Sequence, residues 1–207
     1  MRWILLAAAA AVTVYMVRRG QEQQIDDMPD QTASALESLV HQLNPMQYLD
    51  DEVPAGQAAI NERAFLDMIA YAEGTGGVNG YRMMFGGRLF DSYADHPRVV
   101  HTFTNKLGQT LRTSAAGRYQ FLARTWDELR DKLDLPDFSP ASQDAAALEL
   151  IRQRGALPDV RAGRITEAVR KVAPIWASLP GAGYHQPERK LEQLLAAFQS
   201  SGGYLEA

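Results

Sequence analysis

The chain changes character near residue 60, and that break limits where a globular core can form. Residues 20–62 carry nine acidic side chains and no Lys or Arg, and Pro29, Pro45 and Pro54 interrupt them. Repelling like charges and scattered prolines mark a linker rather than a packed domain. From Asn61 onward apolar residues return at helical spacing and the charge evens out, so that residues 63–207 come to +2 within a chain of net charge −4. A linker over 20–60 followed by a folded domain over 61–207 is therefore expected. A folded part so near neutrality gives no electrostatic case for nucleic-acid binding, which would need a basic face, and no nucleic-acid partner is expected. The chain contains no cysteine, which excludes disulfides, thiolate metal sites and a cysteine nucleophile.

Residues 1–19 precede the linker. Trp3 to Val17 form an uncharged, alanine-rich run flanked by Arg2 and by Arg18–Arg19. A spanning helix needs about 20 apolar residues, with a lower limit near 17, and snorkelling arginines lengthen a short run. The expectation is an N-terminal hydrophobic helix that acts as a membrane anchor through residues 3–17. A cleaved signal peptide and a buried or oligomerising helix are the alternatives. Arginines on both sides leave its orientation open. Within the linker, Leu36, Leu39, Val40 and Leu43 have i, i+3, i+4, i+7 spacing, which predicts a short amphipathic helix over Thr32–Leu43.

The folded domain reads as α+β, mostly helical with a small β hairpin. Asn61 is expected as an N-cap, followed by the apolar face Phe65, Leu66, Met68, Ile69 and Ala72, with Gly74 stopping the helix. Tyr81–Phe85 and Arg88–Phe90 flank Gly86–Gly87, a hairpin signal. Thr125 and Glu128 fit a capping box before Trp126–Leu133. Ser139–Pro140 opens a further helix that Gly155 closes. Ile165, Val169 and Val172 predict another, ended or kinked by Pro174, and Pro187 is expected to start the last one, with Leu191, Leu194, Leu195 and Phe198 facing inward.

Several chemistries are missing from the motif inventory. The chain has no HExxH, no phosphate-cradling loop and no GxSxG, and His41, His96, His101 and His185 lack metal-ligand spacing. No metal or cofactor is expected. Glu73 is the unusual residue. It follows Ile69 by four positions and so borders the apolar stripe of its helix. Desolvation there disfavours the charged form and raises the pKa. A carboxylic acid that keeps its proton near neutrality is the general acid that glycosidic cleavage requires. Position alone also fits an ordinary helix-terminal glutamate.

The segment Ala64–Thr75 (AFLDMIAYAEGT) resembles the start of the phage lambda endolysin family. So do Gly86–Gly87 with Leu89–Phe90, Tyr93–Arg98 (YADHPR), Ala116–Gln120 (AGRYQ), Asp137–Asp144 (DFSPASQD), Arg154–Pro158 (RGALP) and Ile175–Tyr184 (IWASLPGAGY). These blocks run in the family's order across 61–203. The resemblance implies a lysozyme-like fold with two lobes and a cleft. It also implies lytic transglycosylase activity on peptidoglycan glycan strands, in which the muramyl C6 hydroxyl attacks its own C1 to give a 1,6-anhydro sugar. The family's catalytic glutamate falls on Glu73.

The related soluble lytic transglycosylases suggest substrate-binding roles for Gln120 and Tyr184, and weaker ones for Tyr119 and Ser114. Packing is the alternative for Gln120 and Tyr119. Trp126 and Trp176 lie on apolar helical faces and are expected in the core. Asp95 reads as a turn or capping residue. A hydrolytic muramidase of the same fold would instead recruit Asp91 or Asp95 as second carboxylate. An inactive wall-binding protein of a phage particle is the third reading. The sequence departs from the family's pattern in the short loop Gly76–Gly80 and at Arg82, so the cleft rim is expected to differ. The hydrophobic run and linker suggest a membrane-anchored enzyme, with the catalytic domain facing the periplasm or carried in a virion, and phage structural proteins as further candidate partners.

Overall fold

In the computed structural model, residues 55–105, 107–184 and 186–206 are described. The hydrophobic run, the acidic linker and the expected helix over Thr32–Leu43 lie outside them. The first element is α1, Ala55–Glu73. Ala64, Phe65, Met68, Ile69 and Ala70 are fully buried along it, so it is apolar on more than one stripe and becomes the central helix. Burying a Phe, Met or Ile side chain contributes about 1.5–3 kcal/mol, and this run anchors the domain. A short 3₁₀ turn follows (Gly80–Arg82), then the two-stranded antiparallel sheet of β1 (His101–Thr104) and β2 (Thr110–Thr113), with His101 opposite Thr113. Five further helices follow among the described residues: α2 (Ala123–Leu133), α3 (Pro140–Gln153), α4 (Leu157–Ala162), α5 (Ile165–Val172) and α6 (Leu191–Ser200). α1 packs against α6, α4 and α3.

The core has an aliphatic part and an aromatic part. Ile151, Ile165, Val169, Leu194 and Phe198 close around α1. Trp126, Phe138, Phe121 and Phe90 form the other part, with the Trp126 and Phe138 rings 4.6 Å apart and edge-on, a favourable quadrupole arrangement. Trp126 and Trp176 are both core residues, as expected. Each satisfies its indole N–H: Trp126 donates to Asp95 Oδ1 (3.1 Å) and Trp176 to the Tyr119 carbonyl (3.0 Å).

Several expected boundaries shift for identifiable reasons. Asn61 is not an N-cap but lies inside α1, fully buried. Its Nδ2 donates to the Arg161 carbonyl (3.0 Å) and its Oδ1 accepts from the Tyr204 N–H (2.8 Å), pinning α4 and the C-terminal segment to the central helix. Gly86–Gly87 does form a tight turn, but only an isolated bridge joins Met83 and Leu89; the sheet forms later, at 101–113. α2 starts at Ala123 without the Thr125–Glu128 box, because the Ser114 hydroxyl already accepts the Ala123 N–H (3.0 Å). Ser139 caps α3 ahead of Pro140, as its sequence predicts. The last helix starts at Leu191 rather than Pro187, where Gln193 Oε1 accepts the Lys190 N–H (3.1 Å). Among the described residues no helix is long and apolar enough to cross a membrane.

Candidate active site

Glu73 is the last residue of α1, and Gly74 behind it adopts φ +76°. Only glycine takes that left-handed conformation without cost, and it lets the Thr75 N–H return to the Ala70 carbonyl (2.8 Å). The buried Thr75 hydroxyl is directed at the carbonyls of Ala70 and Arg118. The end of the central helix is thereby tied to segment 117–120, which carries Gln120.

That segment makes its own sharp turn at Gly117, φ +80°. A Cβ there would lie 2.4 Å from Gln143 Oε1 and 2.9 Å from the Phe138 ring. Gln143 is fully buried and serves as a bracket: its Oε1 accepts the Arg118 N–H (2.8 Å), and its Nε2 donates to the carbonyls of Phe138 (2.7 Å) and Tyr81 (3.0 Å).

Glu73 and Gln120 line one cavity of about 370 Å³, with Met83–Gly87 on one wall and Ala177, Ser178, Gln186 and Pro187 on another. Glu73 is the only carboxylate among the lining residues. Burial pushes its pKa up. The Ser178 hydroxyl, which donates to Oε1 at 2.5 Å, the Ser178 backbone N–H and the Arg189 charge pull the other way, and burial prevails. The cavity therefore holds one carboxyl group inclined to keep its proton.

The other expected site residues divide. The Gln120 backbone has φ +48°, and its side-chain amide donates to the carbonyls of Met83 (3.1 Å) and Gly117 (3.0 Å). Its N–H groups are thus engaged, and Oε1 is what it can offer a ligand. Tyr119 is 1% exposed, its hydroxyl donates to Asp144 Oδ1 (2.6 Å), and it does not reach the cavity. Ser114 caps α2, as above, and is not among the lining residues. Tyr184 is 47% exposed, with its hydroxyl on the Pro174 carbonyl (2.7 Å), also outside the lining set. Sequence reasoning missed Ser178 and Arg189. Ser178 sits inside the block IWASLPGAGY, so its signal was present but attached to no chemistry.

Neither aspartate considered as a second carboxylate lines the cavity. The Asp91 side chain is fully exposed and pairs with Arg82 (3.2 Å). Asp95 is a structural hub. It accepts from the His96 N–H (2.8 Å), Arg98 (3.0 Å), Trp126 Nε1 (3.1 Å) and Arg130 (3.4 Å). Burial raises its pKa, but these donors outweigh burial and hold it below the usual carboxylate range. Among the described residues no group of three His, Cys, Asp or Glu side chains is placed to hold a metal ion.

Comparison with known proteins places this architecture. A family model described as Endolysin matches residues 63–205. The chain is 49% identical to the endolysin of Escherichia phage lambda over 147 residues, which are 68% of this chain and 90% of that protein. It is 46% identical to the endolysin of Escherichia phage P2 over 157 residues, 69% of this chain and 93% of that one. A solved structure of bacteriophage lambda lysozyme complexed with a chitohexasaccharide superposes with a TM-score of 0.66 at 46% identity, covering 71% of this chain and 97% of the other. A second lambda lysozyme structure gives 0.62 over the same coverage.

These relatives correct the expected membrane-anchored localisation and its virion-borne variant. The match to the two endolysins takes up nearly all of their length, and the family model begins at residue 63, so the kinship contains no counterpart of residues 3–17. Among the described residues, too, no helix has the length and apolar character that a membrane span requires.

Proposed function

The chain belongs to the endolysin family and is a lysozyme-like, peptidoglycan-degrading enzyme, and on that premise we propose that it acts as a lytic transglycosylase with Glu73 as the catalytic residue. The bond cut is the β-1,4 linkage between N-acetylmuramic acid and N-acetylglucosamine. The observation that carries the reading is that Glu73 is, among the described residues, the lone carboxylate lining its cavity. A hydrolase normally uses two, about 5–5.5 Å apart to retain configuration or about 6.5–9.5 Å apart to invert it.

One carboxyl group suffices when no water is consumed. Glu73, its pKa raised by burial, donates its proton to the leaving glycosidic oxygen as the C1–O bond breaks. The carboxylate that results then takes the proton of the muramyl C6 hydroxyl as that oxygen bonds to C1. The Ser178 hydroxyl fixes the Glu73 rotamer through both steps. In this reading Gln120, which lines the cavity, accepts an acetamido N–H through Oε1, and the exposed ring of Tyr184 stacks on a more distant sugar. Tyr119 and Ser114 serve from behind, one holding Asp144 and the other capping α2. The catalytic unit is 61–207, extended by the first turns of α1 from Ala55.

The test digests purified peptidoglycan with the full chain and identifies the products by mass spectrometry. Anhydromuramyl ends, lighter than hydrolytic ends by one water, are the expected outcome. Reducing muramyl ends would replace this mechanism with hydrolysis.

A further inference from the structure

A second, larger hollow of about 980 Å³ adjoins the Glu73 cavity, and Gly74 lines both. It runs between α1 and α6, with Asp67 and Tyr71 on one side and Ala196 and Ser200 on the other. Its electrostatics differ from those of the cavity. Three guanidinium groups, Arg63, Arg118 and Arg189, line it together with one carboxylate, Asp67. The Arg118 side chain is 9% exposed; its Nη2 reaches Asp67 at 2.7 Å, while its buried Nε has no hydrogen-bond partner among the described residues. Arg189 lies over the Tyr71 ring, 5.2 Å from its centre, and its Nε makes only a long hydrogen bond to the Ala72 carbonyl (3.4 Å). Arg63 is more exposed and reaches Asp144 at 3.2 Å and Asp67 at 3.6 Å.

A neutral sugar needs no such excess of positive charge. Guanidinium forks match carboxylates in shape and charge, and Arg189, with only a long hydrogen bond of its own, has donors to spare. Resting on the glycan-cleaving reading above, we propose that this groove binds carboxylates of the peptide stem carried by the muramyl unit. The stem hangs from the same sugar whose C1–O bond is broken at Glu73. A stem leaving the Glu73 cavity past Gly74 enters the groove, where Arg189 and Tyr71 meet it first and Arg63 lies further along α1. The enzyme therefore reads the peptide as well as the sugar.

The experiment compares cleavage of soluble glycan strands that carry stems with strands whose stems an amidase has removed, using the full chain. The wild type is expected to cut stem-bearing strands about tenfold faster or more, the scale of a hydrogen bond to a charged group. Arg63→Gln and Ala196→Glu, which remove a positive charge and insert a negative one, should each lower that ratio by about 3–10-fold. Ala196 sits at an exposed position on α6, so its variant keeps the test open if Arg63→Gln fails to fold. A wild type without preference, or a ratio unchanged in both variants, overturns the peptide groove and leaves glycan cleavage standing. A wild type that cuts neither substrate overturns both.

Discussion

Glu73 and Asp95 are both partly buried carboxyl groups at the ends or turns of the chain, yet their pKa values move in opposite directions. Burial is the largest influence on each and acts with the same sign. The partners decide the outcome. Glu73 has one hydroxyl, one backbone N–H and the charge of Arg189. Asp95 has a backbone N–H, an indole N–H and two arginines within 3.4 Å. One group is left under-satisfied beside a cavity, while the other is saturated inside a network of side chains. Sparsely partnered burial leaves a proton available for chemistry, and saturated burial holds a fold together.

The largest effect expected from this contrast is loss of activity in Glu73→Gln. An amide of the same shape keeps the Ser178 contact but has no proton to give, so the rate on peptidoglycan should fall on the order of 10²–10⁴-fold or more. The folded state should gain. A carboxyl whose folded pKa is raised contributes stability below the unfolded value and loses it as pH rises through the folded one. At neutral pH Glu73 is therefore a net liability, and Glu73→Gln should melt at or slightly above the wild-type temperature in a thermal scan. Near-wild-type cleavage by this variant would remove Glu73 from the mechanism.

Asp95→Asn should show the reverse pattern. It discards charge-assisted bonds to Arg98 and Arg130 without touching the cavity; these pairs are partly exposed and screened, so a destabilisation of about 1 kcal/mol is expected in denaturant titration, with cleavage by the folded fraction intact. The wild-type contribution of Asp95 is present above the unfolded carboxylate pKa and is lost as pH falls through the depressed folded value. The neighbouring His96 adds a second acid-labile element. Its Nδ1 accepts the Arg98 N–H (3.1 Å) and its Nε2 donates to the Phe121 carbonyl (2.9 Å), an arrangement that requires the neutral ring. Burial lowers its pKa, so its contribution is present above the ordinary histidine value and fades as pH falls below it. A loss of stability across that range in a pH series of denaturant titrations, absent in a His96→Gln variant, would mark it.

The two sites were not equally legible in the sequence. Glu73 announced itself through its place beside the apolar stripe of α1 and through the AEGT block. Asp95 was readable as a turn residue because YADHPR has no apolar periodicity. The interior of segment 114–120 was harder. Tyr119 and Gln120 are adjacent, and the left-handed turn at Gly117 and Gln120 sends one into the core and the other to the cavity; no side-chain pattern reports that split. Asn61 misled for a related reason. A cap residue and a buried polar pin have the same composition, and only Arg161 and Tyr204, 100 and 143 positions away, distinguish them. Ser178 could not be paired with Glu73 from sequence, since 105 positions separate them.

The smallest expected effect also sharpens the contrast most, because it shifts Glu73 further from Asp95 without removing either. In Ser178→Ala the hydroxyl that stabilises the Glu73 carboxylate is gone while the burial remains. The Glu73 pKa should then rise further. A general acid acts only when protonated, so activity falls as pH rises through that pKa, and the alkaline limb of the kcat/KM profile should move to higher pH in the variant. The plateau rate should stay within about tenfold of wild type, since the acid is retained and only its rotamer is freed. A limb that moves to lower pH, or does not move while the plateau falls, would make the Ser178 side chain a packing group and leave the tuning of Glu73 to burial, the Ser178 backbone N–H and Arg189.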